Sequence, residues 1–165
     1  MSKAVLISIR PKWVEKIASG EKTIEVRKTK PKLETPFKCY IYCTLPKYPH
    51  EDFIATDYPM PQFYGGGKVI GEFTCDRIDR LAPANEPYGI YDIDDNYVLQ
   101  TCLENGALWD YGHGTPLYGW HISDLRVYDE ARELSEFTGL RTFKGGFELR
   151  KIDRPPQSWC YVEES

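Results

Sequence analysis

Apolar residues alternate along Lys3–Ile9, with Val5, Ile7 and Ile9 on one face, and this period of two predicts an opening strand. From Pro11 the spacing changes. Trp13, Val14, Ile17 and Ala18 fall at helical intervals, a proline occupies the first turn, and Gly20 stands where a helix-ending glycine belongs. Thr23–Lys28 returns to period two, with Ile24 and Val26 on one face and Thr23, Glu25 and Arg27 on the other. Further strands are expected over Phe37–Thr44, Lys68–Cys75, Tyr118–Tyr128 and Ser158–Val162. In the second of these, Ile70, Glu72 and Thr74 are expected on one side. Asp94 or Asp95 is expected to cap a helix running to about Glu104 and ended by Asn105-Gly106. Asp129–Phe137 reads as another helix, with Leu134 and Phe137 as its apolar side. Residues 45–67, with four prolines and Gly65-Gly66-Gly67, read as a long irregular insertion. Short strands, two or three short helices and a strand near each end predict an α+β fold: a mixed β-barrel with short flanking helices.

Composition narrows the class. With 165 residues, 41% hydrophobic and 28% charged, the chain suits one globular domain over 1–165. No apolar run reaches the roughly 18 residues of a membrane span, and the N-terminus reads as a strand rather than a signal peptide. The five cysteines are odd in number and form no CxxC pair, so reduced thiols and a cytoplasmic location are expected. Neither a metal-ligand spacing nor a cofactor motif is present, and no cofactor is expected. Aromatics are plentiful, with 12 Tyr and 4 Trp; they serve as core, or as faces on which bases stack.

Charge is unevenly spread. Residues 1–50 carry 11 Lys and Arg against 4 acidic residues, a surplus of +7, while residues 51–165 carry 10 against 21, a balance of −11. A basic N-terminal third on an acidic body marks a local anion-facing surface or a solvated loop around Lys28, Lys30, Lys32 and Lys38.

The densest polar run is Ser19-Gly20-Glu21-Lys22-Thr23-Ile24-Glu25-Val26-Arg27-Lys28. Glu25 and Arg27 project from one strand face, and Lys22 can lean over the strand's end. Two cations and a carboxylate at a strand mouth offer donors to an anion and an acceptor to an amine or hydroxyl. The same pattern also describes an exposed ion-pair ladder. His121 beside Trp120 is either a ligand contact or a satisfied core histidine. The glycine run before Lys68 lacks the spacing of a phosphate loop and reads as a hinge, and Gly112-His113-Gly114 reads as a turn.

Gly20-x-Lys22-x-x-Glu25-x-Arg27 matches the GxKxxExR signature of ASCH domains, and the preamble Leu6-Ile7-Ser8-Ile9 then Trp13-Val14-Glu15-Lys16-Ile17 is similar to that family as well. Val69-Ile70-Gly71-Glu72-Phe73 resembles a second typical strand. Gly119-Trp120-His121-Ile122 and Pro155-Pro156-Gln157-Ser158-Trp159-Cys160-Tyr161 resemble a phage and prophage subset. Residues 45–67 and 80–117 fall outside the resemblance, as insertions. The resemblance implies a PUA-like mixed β-barrel with a cleft for RNA, a nucleoside or a nucleotide. That cleft is expected to hold Lys22, Glu25, Arg27, Lys28 and Glu72, with Trp120 and His121 as its wall. One enzymatic branch of ASCH proteins deacetylates acetylcytidine with a Lys, a Thr and a Glu. Lys22 matches the first and Glu72 the last, as catalytic residues if the chain is an enzyme. The Thr position holds Glu25, and Thr23 lies on the other side of Lys22. Others have been linked with ribonuclease action, which a Lys-Glu-Arg cleft supports by acid–base chemistry. A phage-type interaction protein without catalysis is the remaining alternative. Neither ligand, catalysis nor oligomeric state is fixed by the sequence.

Overall fold

The structure, a computed structural model, describes residues 2–45 and 66–165. Most of the insertion expected over 45–67 therefore lies outside the described residues. Strand β1 (Lys3–Ile9) is buried on both faces beyond its first residue, as a central strand must be. Helix α1 (Pro11–Ala18) begins with proline in its first turn and buries Pro11, Val14 and Ile17; Trp13 is half-buried. Gly20 then takes a φ of +82°, a left-handed turn that glycine adopts without steric cost.

Strands β2 (Ile24–Arg27), β3 (Phe37–Cys43), β4 (Lys68–Leu81), β5 (Leu117–Arg132), β6 (Thr138–Phe143), β7 (Gly146–Lys151) and β8 (Trp159–Glu163) complete one sheet in the order β2-β5-β4-β3-β1-β8-β6-β7. The pairings are antiparallel except β1 with β3. The sheet curls back on itself. β2 and β1 are far apart in strand order, yet the Arg27 guanidinium on β2 donates to the Ser8 carbonyl on β1 at 2.7 Å and to Ser158 Oγ at 3.2 Å. The seam of the barrel is thus closed by a side chain rather than by a backbone ladder.

One core fills the concave side: Val5, Ile7 and Ile9 from β1, Cys39 and Ile41 from β3, Ile70, Phe73 and Cys75 from β4, and Trp120 from β5. A second lies on the convex side, with Ala4, Leu6, Tyr40, Tyr42, Phe137 and Val162. A third forms where helices α2 (Asp95–Thr101) and α3 (Asn105–Gly112) cover Val26, Leu81 and Leu117. All five cysteines carry free thiols. No helix among the described residues is long and apolar enough to cross a membrane.

The α+β expectation matches the eight-stranded mixed sheet and three short helices found among the described residues. Four local readings need correction. Residues 129–137 are not helical: β5 runs on to Arg132, held by pairing with β4, and only a 3-10 turn follows at Leu134–Glu136. The ladder overrides a weak helical period. Asn105-Gly106 does not end a helix but begins α3. The stop is Cys102, whose φ of 58° is left-handed. β4 extends to Leu81 instead of ending at Cys75. The β6–β7 hairpin, turning at Lys144-Gly145, was not expected at all.

Candidate functional site

The GxKxxExR segment folds inside out relative to an ordinary surface strand. Lys22 N–H donates to the Lys16 carbonyl at 2.9 Å and Thr23 N–H to the Gln100 carbonyl at 2.9 Å, so the turn after α1 is fixed from both sides. Strand β2 then pairs with β5, placing Glu25 opposite Trp120 and Ile24 opposite His121. Cross-strand partners share a face, so Glu25 and Trp120 point into the barrel. The apolar alternates Ile24 and Val26 point outward, and α2 and α3 cover Val26. The helices that bury it come from the 80–117 stretch.

Within the barrel the three charged side chains of the motif form one network. Lys22 is 1% exposed and Glu25 5%. Lys22 Nζ donates to the Thr101 carbonyl at the end of α2, stands 3.7 Å from Glu25 Oε1 and lies 5.0 Å over the Trp13 ring. Glu25 Oε2 is 3.3 Å from the Arg27 guanidinium, and Oε1 accepts from the Val26 amide at 3.0 Å. Burial holds the Lys22 ammonium below its usual pKa, and the Glu25 carboxylate partly restores it. The network carries two cations and one anion. Beside it the Trp120 indole N–H is buried with no hydrogen-bond partner among the described residues, an uncommon state for a buried donor.

Around this centre lysines and aromatic rings interleave. Lys12 lies 4.8 Å over Trp13, Lys28 4.8 Å over Tyr111 and Lys30 5.7 Å over Tyr118. The Trp159 indole donates to Thr29 Oγ1 at 2.9 Å, and its ring meets Trp120 edge to face at 5.9 Å. Burial raises the Tyr111 hydroxyl above its usual pKa; the charges of Arg27 and Glu25 also act on it, so α3 delivers this phenol to the motif. Tyr111 was missed from the sequence because it sits in a stretch read as an insertion, and no spacing ties it to Lys22.

The residues expected to share a cleft separate into three places. Lys22, Glu25, Arg27 and Trp120 come together, with exposed Lys28 at their rim over the Tyr111 ring. Glu72 does not join them. It pairs across the sheet with Tyr40, whose ring lies in the convex core, and bonds Lys38 at 2.9 Å and Tyr128 at 2.9 Å. Register shifts in β4 on both sides of this point put Ile70 and Phe73 together on the concave side and send Glu72 to the other. His121 also faces away from Trp120. Its Nε2 is 2.6 Å from Asp79 Oδ2, which accepts in turn from Tyr97 at 3.0 Å and Arg77 at 3.2 Å. Gly119 beneath them leaves room for the Tyr97 hydroxyl, which would lie against any β-carbon there. Among the described residues no cluster of His, Cys, Asp and Glu has the makings of a metal centre.

The chain superposes on the crystal structure of ASCH from Zymomonas mobilis with a TM-score of 0.55, at 19% identity, covering 98% of this chain and 88% of that one. A mutant form of the same protein gives a TM-score of 0.53 at 18% identity, over 99% of this chain and 92% of its own. A second mutant gives 0.52 at 18%, over 98% and 89%. At this identity the likeness is one of fold: the chain shares the architecture of that ASCH protein over nearly its whole length. No protein-family profile matches the sequence, and no curated protein does.

Proposed function

We propose that this chain binds RNA or a modified nucleoside at the barrel seam formed by Lys22, Glu25 and Arg27. The observation that carries the reading is the interleaving of Lys12, Lys28 and Lys30 with Trp13, Tyr111 and Tyr118 around a buried network of net positive charge. Aromatic faces stack bases, and lysines follow phosphates. The unpartnered Trp120 N–H adds a donor beside the network. The fold shared with an ASCH protein is consistent with a nucleic-acid-type ligand. The phage and prophage resemblance rests on Gly119-Trp120-His121-Ile122 and the Pro155–Tyr161 segment alone. The hydrolase alternative is weakened for the acetylcytidine type, since Lys22 and Glu72 stand on opposite faces of the sheet.

The test is a titration with modified nucleosides and short RNAs, read by tryptophan fluorescence, with product analysis alongside. Tyr111→Ala and Lys28→Ala are expected to weaken binding by about 1–3 kcal/mol and about 1 kcal/mol, the ranges of a stacked base and a single polar contact. Binding of no nucleoside or RNA, or binding indifferent to both substitutions, would sink the reading.

A further inference from the structure

We infer that the β6–β7 hairpin and the groove at its base extend this site into a track for the backbone of a single-stranded polynucleotide, so that the ligand is a strand and not a free nucleoside. The inference rests on the reading of the Lys22–Glu25–Arg27 seam just given. Every residue of β7 is exposed, and β7 forms the outer edge of the sheet. Residues 138–154 hold five cations (Arg141, Lys144, Arg150, Lys151 and Arg154) against Glu148 and Asp153, a surplus of +3 on a chain of net charge −4. Among the described residues only Arg141 of these meets a carboxylate, Glu148 at 3.9 Å, and Arg150, Lys151 and Arg154 form no ion pair.

A groove of about 300 Å³ lies against this arm, lined by Arg141, Arg150, Lys151 and Arg154 together with Cys160 and Tyr161. Tyr161 joins the groove to the seam. Its hydroxyl accepts from the Lys32 amide at 2.8 Å and its ring meets Trp159 at 5.2 Å, while Trp159 holds Thr29 and touches Trp120. The path from Lys28, Lys30 and Lys32 past Tyr161 to Arg154 and Arg150 is therefore mainly basic and aromatic, with Asp153 as the one acidic residue on the groove's wall. Phe143 and Phe147, 55% and 48% exposed near the hairpin tip, place two further rings at its far end. Cations spaced along a groove with flat rings between them is the arrangement that follows a single strand.

A second copy of the chain is the competing occupant, because a bare edge strand can pair with its twin. The composition of the edge argues against it: Arg150 and Lys151 are exposed on β7, and charged side chains on an edge strand disfavour its pairing with another.

Fluorescence anisotropy separates the outcomes. The probes are a labelled oligouridylate of about 12 nucleotides, within the span of single-strand sites, and a labelled dinucleotide. The variant is Arg150→Ala, Lys151→Ala and Arg154→Ala combined; all three side chains are exposed, and its urea midpoint checks the fold. The long probe is expected to lose roughly tenfold or more in affinity at low salt. The slope of log affinity against log salt should fall by about two, from about 0.7 per lost phosphate contact. The dinucleotide should bind as before. Unchanged binding of the long probe, with the dinucleotide still bound, overturns the track and leaves the seam reading standing. Failure of the unsubstituted protein to bind either probe overturns both. A dimer of the unsubstituted protein, with RNA binding unaltered by the triple variant, would assign the arm to self-association instead.

Discussion

Two lysine–glutamate clusters occupy opposite faces of one curled sheet. On the concave side Lys22 and Glu25 stand 3.7 Å apart with almost no exposure; on the convex side Lys38 and Glu72 are closer, at 2.9 Å, but their side chains keep 29% and 16% of their surface. Distance alone would rank the second pair as the stronger. Burial reverses the order of consequence. Water screens Lys38 and Glu72, so their attraction contributes little. Lys22 and Glu25 have given up hydration, and each depends on the other, on Arg27 and on the Thr101 carbonyl for compensation. The lysine pKa values record the contrast: burial lowers that of Lys22, whereas the hydrogen bond to Glu72 raises that of Lys38. A charged motif that reads as a surface ladder in sequence is thus a buried structural centre, and any ligand it meets is met by a preorganised group.

The largest effect should follow Glu25→Ala. It leaves two cations facing each other in the barrel without a counter-charge, and breaking a buried pair in this way costs about 3–5 kcal/mol. Urea denaturation measures it, and a loss below about 1 kcal/mol would mean that water reaches the network. Lys22→Met comes next. It leaves Glu25 and Arg27 as a neutral pair and removes a desolvated charge, but strands the Thr101 carbonyl, so about 1–3 kcal/mol is expected. A cost for Lys22→Met exceeding that of Glu25→Ala would break the comparison, since it would place the stabilisation in the lysine's own contacts. Glu72→Ala should cost no more than about 1 kcal/mol by the same assay.

The opening of the chain was legible because its signals are local. Alternation set β1, proline and Gly20 bounded α1, and period two set β2. The pairing of Glu25 with Arg27 followed from the same period. Glu72 was misplaced because a strand's parity holds only until a bulge, and the register shifts of β4 depend on its partners, not on its own residues. The direction of β2 was likewise out of reach. Whether Ile24 and Val26 or Glu25 and Arg27 face inward depends on α2 and α3, which arrive from residues some seventy positions later. Tyr111 and the β6–β7 hairpin belong to the same class: their importance comes from what the fold brings beside them.

The smallest effects, and the finest test of the two clusters, lie in pH dependence. Lys22 has its folded pKa below the value of 10.5 it takes when unfolded. Between the two the unfolded chain binds more protons, so this residue makes stability rise with pH through that window. Lys38 has its folded pKa above 10.5, so its contribution is complete below that value and is lost as pH climbs through the folded pKa. The two lysines therefore act with opposite sign at alkaline pH. Lys22→Met should remove the rising component just below pH 10.5, whereas Lys38→Met should leave that region flat and alter only the limb above it. On the acid side burial alone would raise Glu72, but the hydrogen bonds from Lys38 and Tyr128 hold it below its usual 4.5. Its contribution is present above that value and is lost as pH falls through the folded pKa. Glu72→Gln should therefore flatten the acid limb by no more than about 1 kcal/mol, the range of a solvated pair. Urea midpoints collected from pH 3 to pH 11 for the three variants resolve these slopes. If Lys22→Met and Lys38→Met shifted the alkaline limb in the same direction, the two clusters would share one environment, and the contrast between concave and convex faces would fail.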